Sequence, residues 1–318
     1  MEIITILIVL CGLFVGWTIG ANDAANCLGT SVGAGLIDYK KAVVIVALFA
    51  FLGAVTHGQA TTATVGSGII DSSSVPLAAI IAVLFSASLF VTAITILGLP
   101  ISSTQAVIGG IAGVGLVISA DVSWATVAKI FFLGFVTPVI ALLCSFFIYS
   151  MYGRIIRLRS FLFIEKFLGW AVLLSGAFLA YSLGANNLGN AMGLVVGSNS
   201  LPIFLASVLG GTAIALGSIT LGKRVMKTVG NDITELSAQT AFAAQAGCAI
   251  SIYMLTLIGI PTSTSFGIVG GVAGVGLVKG VGMLNKHTLK KIALGWVVTP
   301  VISALLAIVI YLIASRFI

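Results

Sequence analysis

The chain has 318 residues, of which 59% are hydrophobic and only 7% charged. A water-facing domain carries about 25% charged residues, so this composition excludes a soluble enzyme, a nucleic-acid binder and a disordered chain. The formal net charge of +7 therefore calls for an explanation other than a nucleic-acid partner, and the placement of the charges supplies one.

A mean hydropathy of +1.24 implies a polytopic α-helical membrane protein. The apolar runs are continuous, without the period-2 alternation of an outer-membrane barrel. The 38 glycines suit helices that approach closely within a bilayer. Cys11, Cys27, Cys144 and Cys248 lie in apolar stretches with no paired spacing and read as small hydrophobes.

The chain begins Met1-Glu2. With no basic residues ahead of the first apolar run, residues 3–20 read as mature membrane helix and not as a cleavable signal. A pass needs about 20 apolar residues. Long uncharged blocks, divided at Pro100, Pro202 and Pro261, then give ten segments near 3–36, 42–57, 76–98, 100–118, 126–150, 161–198, 202–222, 236–258, 262–278 and 289–315. Segments 3–36 and 161–198 are too long for one straight pass, and each is expected to be interrupted at a polar, glycine-rich stretch.

Those two stretches are copies. Residues 19–33 match 183–197 at 7 of 15 positions, 97–116 match 258–277 at 10 of 20, and 129–149 match 291–311 at 10 of 21. Three blocks in one order at nearly constant offset indicate two homologous halves, 1–155 and 156–318. Five segments per half is odd, so the second half should enter the membrane from the opposite side. With the N-terminus outside, the inner loops hold 13 of the 15 basic residues, while outer loops 57–75, 118–128 and 199–201 hold none. The basic excess is thus a positive-inside signal, and both termini are expected outside.

The fold class expected is an all-α polytopic membrane protein built from two inverted-topology repeats with interrupted or re-entrant helices. That is the architecture of secondary transporters, with the site near the midplane where broken helices meet. A nucleotide-binding Gly-x4-Gly-Lys-Ser/Thr loop is absent, so coupling to an ion gradient is expected.

Two constellations carry the chemistry. Asp23 is the only carboxylate these segments bury. It stands with Asn22 and Asn26, and the second half repeats the pattern as Asn186, Asn187 and Asn190. Carboxylate and amide oxygens suit a hard cation, although a buried carboxylate can also cap a helix and a buried asparagine can also bind helices together. The second constellation is Ser102, Ser103, Thr104 and Gln105 after Pro100, with Thr262, Ser263, Thr264 and Ser265 after Pro261. Hydroxyls behind a proline read as helix starts in mid-membrane. Their free N–H groups attract anions, so two such starts can address one oxyanion from opposite sides. No Lys or Arg lies in the expected site, so an anion must cross with cations. Two monovalent cations, H2PO4⁻ and ionised Asp23 would sum to zero.

The duplicated Gly-Ala-Asn-Asp/Asn-x-x-Asn followed by Pro-x-Ser-Ser/Thr-Thr/Ser is similar to the inorganic phosphate transporter (PiT) family over nearly the whole chain. The resemblance implies a symporter for inorganic phosphate in the cell membrane, with sodium or protons as coupling ion, no enzymatic activity and no cofactor, and a homodimer. It assigns the Asn and Asp set to the sodium ions and the Ser/Thr runs to phosphate. Asn187 stands where many members have Asp, and Ala50 and Gln245 stand where sodium-coupled members carry glutamate. Sodium is favoured because Asp23 is the only buried group that could relay a proton. A proton-coupled phosphate or sulfate permease is the near alternative, and an anion channel is a remote one.

Overall fold

In the computed structural model, which describes residues 2–156, 161–228, 237–279 and 286–317, the first helix stops at its carboxylate. Helix α1 (Glu2–Asp23) is separated from α2 (Ala25–Gly33) by Ala24 alone. The expected interruption of segment 3–36 is therefore one residue long. After a turn containing Gly35 at φ +70°, α3 (Tyr39–His57) begins.

The loop expected at 57–75 is instead partly helical. Helix α4 (Gln59–Ala63) and a π-helical turn (Thr64–Gly68) follow α3 after a single residue, Gly58. The hydroxyl of Thr62 donates back to the Gly58 carbonyl at 2.7 Å, which satisfies a backbone acceptor at the junction. The first half continues with α5 (Leu77–Ile96), α6 (Ser103–Val117) and α7 (Trp124–Ile156).

The second half opens with α8 (Phe161–Gly197), followed by α9 (Ile203–Thr220), α10 (Lys223–Lys227), α11 (Ala238–Leu257), α12 (Thr264–Lys279) and α13 (Lys286–Ala314). Helix α8 is unbroken, which corrects the interruption expected in segment 161–198. Its Asn187 donates to the Leu183 carbonyl one turn back at 3.2 Å and accepts from Asn190 at 3.0 Å. Asn187 is thus satisfied within the helix, while Asn186 and Asn190 reach neighbouring elements, and the stretch has no charge to expose.

Among the described residues, eight helices are long and apolar enough to cross a membrane. Helices α6 and α12 have 15 and 16 residues. At 1.5 Å per residue they reach about 22–24 Å, short of the roughly 30 Å hydrocarbon thickness. Segments 100–118 and 262–278 are therefore partial helices, as their hydroxyl-rich starts imply. Of the basic residues assigned to inner loops, Arg157 and Arg159 lie outside the described residues.

Packing repeats with the sequence. Helix α1 packs on α9 as α8 packs on α3, and α6 packs on α13 as α12 packs on α7. Close approach explains one glycine pair. A Cβ at Gly20 would stand 1.9 Å from the Ile214 carbonyl oxygen, and one at Gly184 would stand 1.8 Å from that of Ala50. Large apolar side chains such as Phe132, Phe147, Leu294 and Leu305 point outward, which suits a hydrocarbon surrounding and not water.

Candidate transport site

Each half holds its own Pro loop with one asparagine. Asn22 donates to Thr95 Oγ1 at 2.9 Å and to the Leu99 carbonyl at 3.1 Å, and accepts from the Ile101 N–H at 3.2 Å. Asn186 repeats this with Thr256 at 2.8 Å, Ile260 at 3.1 Å and Thr262 at 2.8 Å. Gly98 and Gly259, at φ +77° and +72°, let the chain turn into the two loops. Thr228 caps the Gly98 carbonyl at 2.8 Å, and Thr64 caps that of Gly259 at 2.6 Å.

The second asparagine of each motif crosses to the other half. Asn26 donates to Ser265 Oγ at 2.9 Å, and Asn190 donates to Thr104 Oγ1 at 2.8 Å. Those hydroxyls in turn donate across the loops, Ser265 to the Ile101 carbonyl at 2.8 Å and Thr104 to the Thr262 carbonyl at 2.9 Å. The two loops therefore meet, and the starts of α6 and α12 converge on one place.

Asp23 lies at that meeting point. It is 2% exposed. Its carboxylate accepts from Ser103 of the first half at 2.8 Å and lies 3.4 Å from Ser265 of the second. The side-chain oxygens of Asn26 and Asn190 are buried with no hydrogen-bond partner, as are Gln105 Oε1 and Thr264 Oγ1. Orphaned buried oxygens are costly, so each is a place where a ligand would gain a contact. Carbonyl-type oxygens beside a carboxylate suit a cation. The hydroxyl of Thr264 can donate to an anion.

The remaining hydroxyls have local partners. Ser102 accepts from the Gln105 N–H at 3.1 Å, and Ser263 from the Phe266 N–H at 3.3 Å. Both are helix N-caps. Thr262 Oγ1 is 2.6 Å from Thr137 Oγ1. A cavity of about 10 Å³ lies beside Ser102, Thr104, Gln105, Thr262 and Ser263. It has room for about one water, so an oxyanion can reach these groups only if the helices move.

A sequence profile described as the phosphate transporter family matches residues 19–307. The chain belongs to that family. It is a multi-pass membrane transporter and not an enzyme. A candidate phosphate permease of Pyrococcus abyssi is 29% identical over 96% of each chain. Another, from Haemophilus influenzae, is 27% identical over 94% of each. A solved sodium-dependent phosphate transporter is 27% identical and superimposes over the full length of both chains with a TM-score of 0.89.

Two parts of the candidate site lie outside its motifs, and a third, Gln245, stands out in the sequence only as a departure from the family's glutamate. Thr95 and Thr256 anchor the asparagine clamps and are themselves equivalent, but they lie just outside the repeated block that begins at Leu97. Thr137, from the repeated Thr-Pro pair, reaches Thr262. Gln245 of α11 donates to Thr30 and Ser31 of α2 at 2.8 and 2.5 Å and accepts from Ser175 of α8 at 3.0 Å. It binds three helices through a neutral amide.

Proposed function

We propose that this protein is a sodium-coupled symporter of inorganic phosphate. Its site lies at the midplane between two inverted halves, 1–155 and 156–318. The observation that carries the reading is the contact of Asp23, a carboxylate of the first half, with hydroxyls of both halves. Sodium ions occupy the oxygens of Asp23, Asn26 and Asn190. Phosphate lies at the starts of α6 and α12, on their first-turn N–H groups and the hydroxyls of Ser103 and Thr264. Asn22, Asn186 and Asn187 act by positioning the loops and α8, with their amides engaged within their own half.

Topology supports this arrangement. The eight long helices and the partial helices α6 and α12 divide equally between the halves, five elements each, an odd number that turns the second half over. With the basic loops inside, both termini face outward. The membrane is the cell membrane, where a gradient of sodium is available.

The bonding pattern also suggests how access alternates. The Asn22 and Asn186 clamps keep each loop with its own half. The bonds from Thr104 to Thr262 and from Ser265 to Ile101 cross between halves. Opening breaks the crossing bonds and spares the clamps, so each loop can move together with the helix its own asparagine ties it to. Neutralisation of Asp23 and the anion by sodium lets the loaded site close with little net charge.

The test is uptake of radiolabelled phosphate and of sulfate by proteoliposomes, with sodium and proton gradients imposed separately. Saturable phosphate uptake that follows the sodium gradient is expected. Uptake driven only by protons, or faster for sulfate, would replace this reading with a related permease. Unsaturable conductance without coupling would replace it with a channel.

A further inference from the structure

Two cavities of about 630 and 420 Å³ share Leu36, Ile37 and Leu173 and so form one groove along α3 and α8. Its walls are apolar, with Val44 along α3 and the exposed Trp170 along α8. Its mouth is basic. Lys40 and Lys41 line it at the first turn of α3. Lys223 stands over the neighbouring Tyr39 ring, 5.9 Å from its centroid. The acidic side chain in the lining is Asp38, which pairs with Lys41 at 3.6 Å. Among the described lining residues, two lysines against one carboxylate leave the mouth positive.

We propose that this groove binds an anionic phospholipid. The headgroup phosphate would sit on Lys40 and Lys41, and an acyl chain would run between α3 and α8. The argument is complementarity at a membrane boundary. Helix α3 is long and apolar enough to cross a membrane, and its first turn carries the lysines, so the groove opens at headgroup depth. Basic pockets between membrane helices attract anionic headgroups, and a tryptophan at that level suits the interface. A small soluble anion would leave the apolar length unfilled. A second copy of the chain would have to bury the lysines. The groove wall includes the turn from Gly35 to Asp38, which joins α3 to α2, the helix that carries Asn26. A bound lipid therefore braces the helix that presents a site residue.

The test uses the purified full-length protein in mixed micelles of phosphatidylglycerol and phosphatidylcholine, with retained lipid counted by native mass spectrometry. One phosphatidylglycerol per chain is expected, with no comparable retention of phosphatidylcholine. The double variant Lys40→Ala/Lys41→Ala should weaken retention by about thirty-fold. Leu173→Trp, which fills the groove and keeps the lysines, should also abolish it. Inorganic phosphate and the chain-free headgroup glycerophosphoglycerol should not displace the lipid. Retention unchanged in both variants would overturn the proposal, as would displacement by inorganic phosphate, which marks a free-anion site. A change in the number of chains per particle instead of in lipid count would assign the groove to a second copy and overturn it equally.

Discussion

Asp23 and Asn187 occupy equivalent places in the two halves and build different helices. In the second half, Asn187 closes a hydrogen bond to Leu183 and receives one from Asn190, and α8 runs unbroken for 37 residues. A carboxylate cannot donate that bond back to the helix. In the first half the helix ends at Asp23, and the carboxylate turns to Ser103 and Ser265. One atom, nitrogen for oxygen, separates a structural amide from a charged group shared between halves. The rest of the motif is held in common. Even the flanking contacts match, with Trp17 donating to Thr220 and Tyr181 bonding Thr56. The repeat thus supplies a symmetric frame, and the charge makes it directional.

The largest expected effect comes from erasing that difference. Asp23→Asn should remove sodium-driven phosphate uptake, by about thirty-fold or more, since loss of one partner of a buried charged pair costs about 2–5 kcal/mol. The protein should stay folded, because the equivalent position accepts an amide in α8. Sodium-dependent uptake and thermal unfolding in detergent, measured on the same preparation, separate the two. Undiminished sodium dependence would return Asp23 to a helix-capping role. Restoring a charge at the other copy, in Asp23→Asn/Asn187→Asp, should not rescue uptake, because the side chain at 187 is engaged along α8 with Leu183 and Asn190 and not with the opposite loop.

Much of this frame was legible in the sequence, and the reasons are specific. The halves could be read because Asn22, Pro100 and Thr137 recur with their neighbours at offsets of 164, 161 and 162. The helix starts at Ser103 and Thr264 could be read because proline and hydroxyls have local rules. The continuity of α8 could not. A polar glycine-rich stretch breaks a helix or stays in it according to whether each side chain finds an acceptor one turn back, and that depends on the pair Asn187 and Leu183. The helix beyond His57 was missed because its threonines resemble loop residues until their hydroxyls are seen bonding back to Gly58. The roles of the asparagines also needed the fold. Asn22 and Asn26 look alike in sequence, yet one clamps its own loop and the other reaches the opposite half.

The clamps test the symmetric part of the comparison, and their effect should fall on stability. Asn22→Ala and Asn186→Ala each remove three buried hydrogen bonds. At about 1 kcal/mol net for each, the loss is about 2–4 kcal/mol. The two variants should lower the unfolding midpoint by similar amounts, because their bonds are equivalent in partner and length. Sodium affinity of the protein that remains folded should change little. A sharp loss of sodium affinity with unchanged stability would make Asn22 an ion ligand and not a positioning residue.

The smallest expected effect is at the caps. Ser102 and Ser263 each accept one backbone N–H at the start of a partial helix, and replacing such a cap by alanine costs about 1 kcal/mol. Ser102→Ala and Ser263→Ala should therefore destabilise the protein slightly and equally. Their influence on phosphate should be indirect, through fraying of the first turn, and the apparent KM should rise by no more than about five-fold, the factor that 1 kcal/mol represents. Ser103→Ala differs, since that hydroxyl bonds Asp23 and, in the proposed site, also meets the anion. A hydrogen bond to a charged group contributes about 1.5–3 kcal/mol, so its KM should rise by about ten-fold or more. If Ser102→Ala matched Ser103→Ala in KM with no loss of stability, the cap hydroxyl would touch phosphate directly. If the effect fell on Ser263 and Thr264 alone, the anion would belong to the second half. The first-half hydroxyls would then only order the helix that holds Asp23 in place.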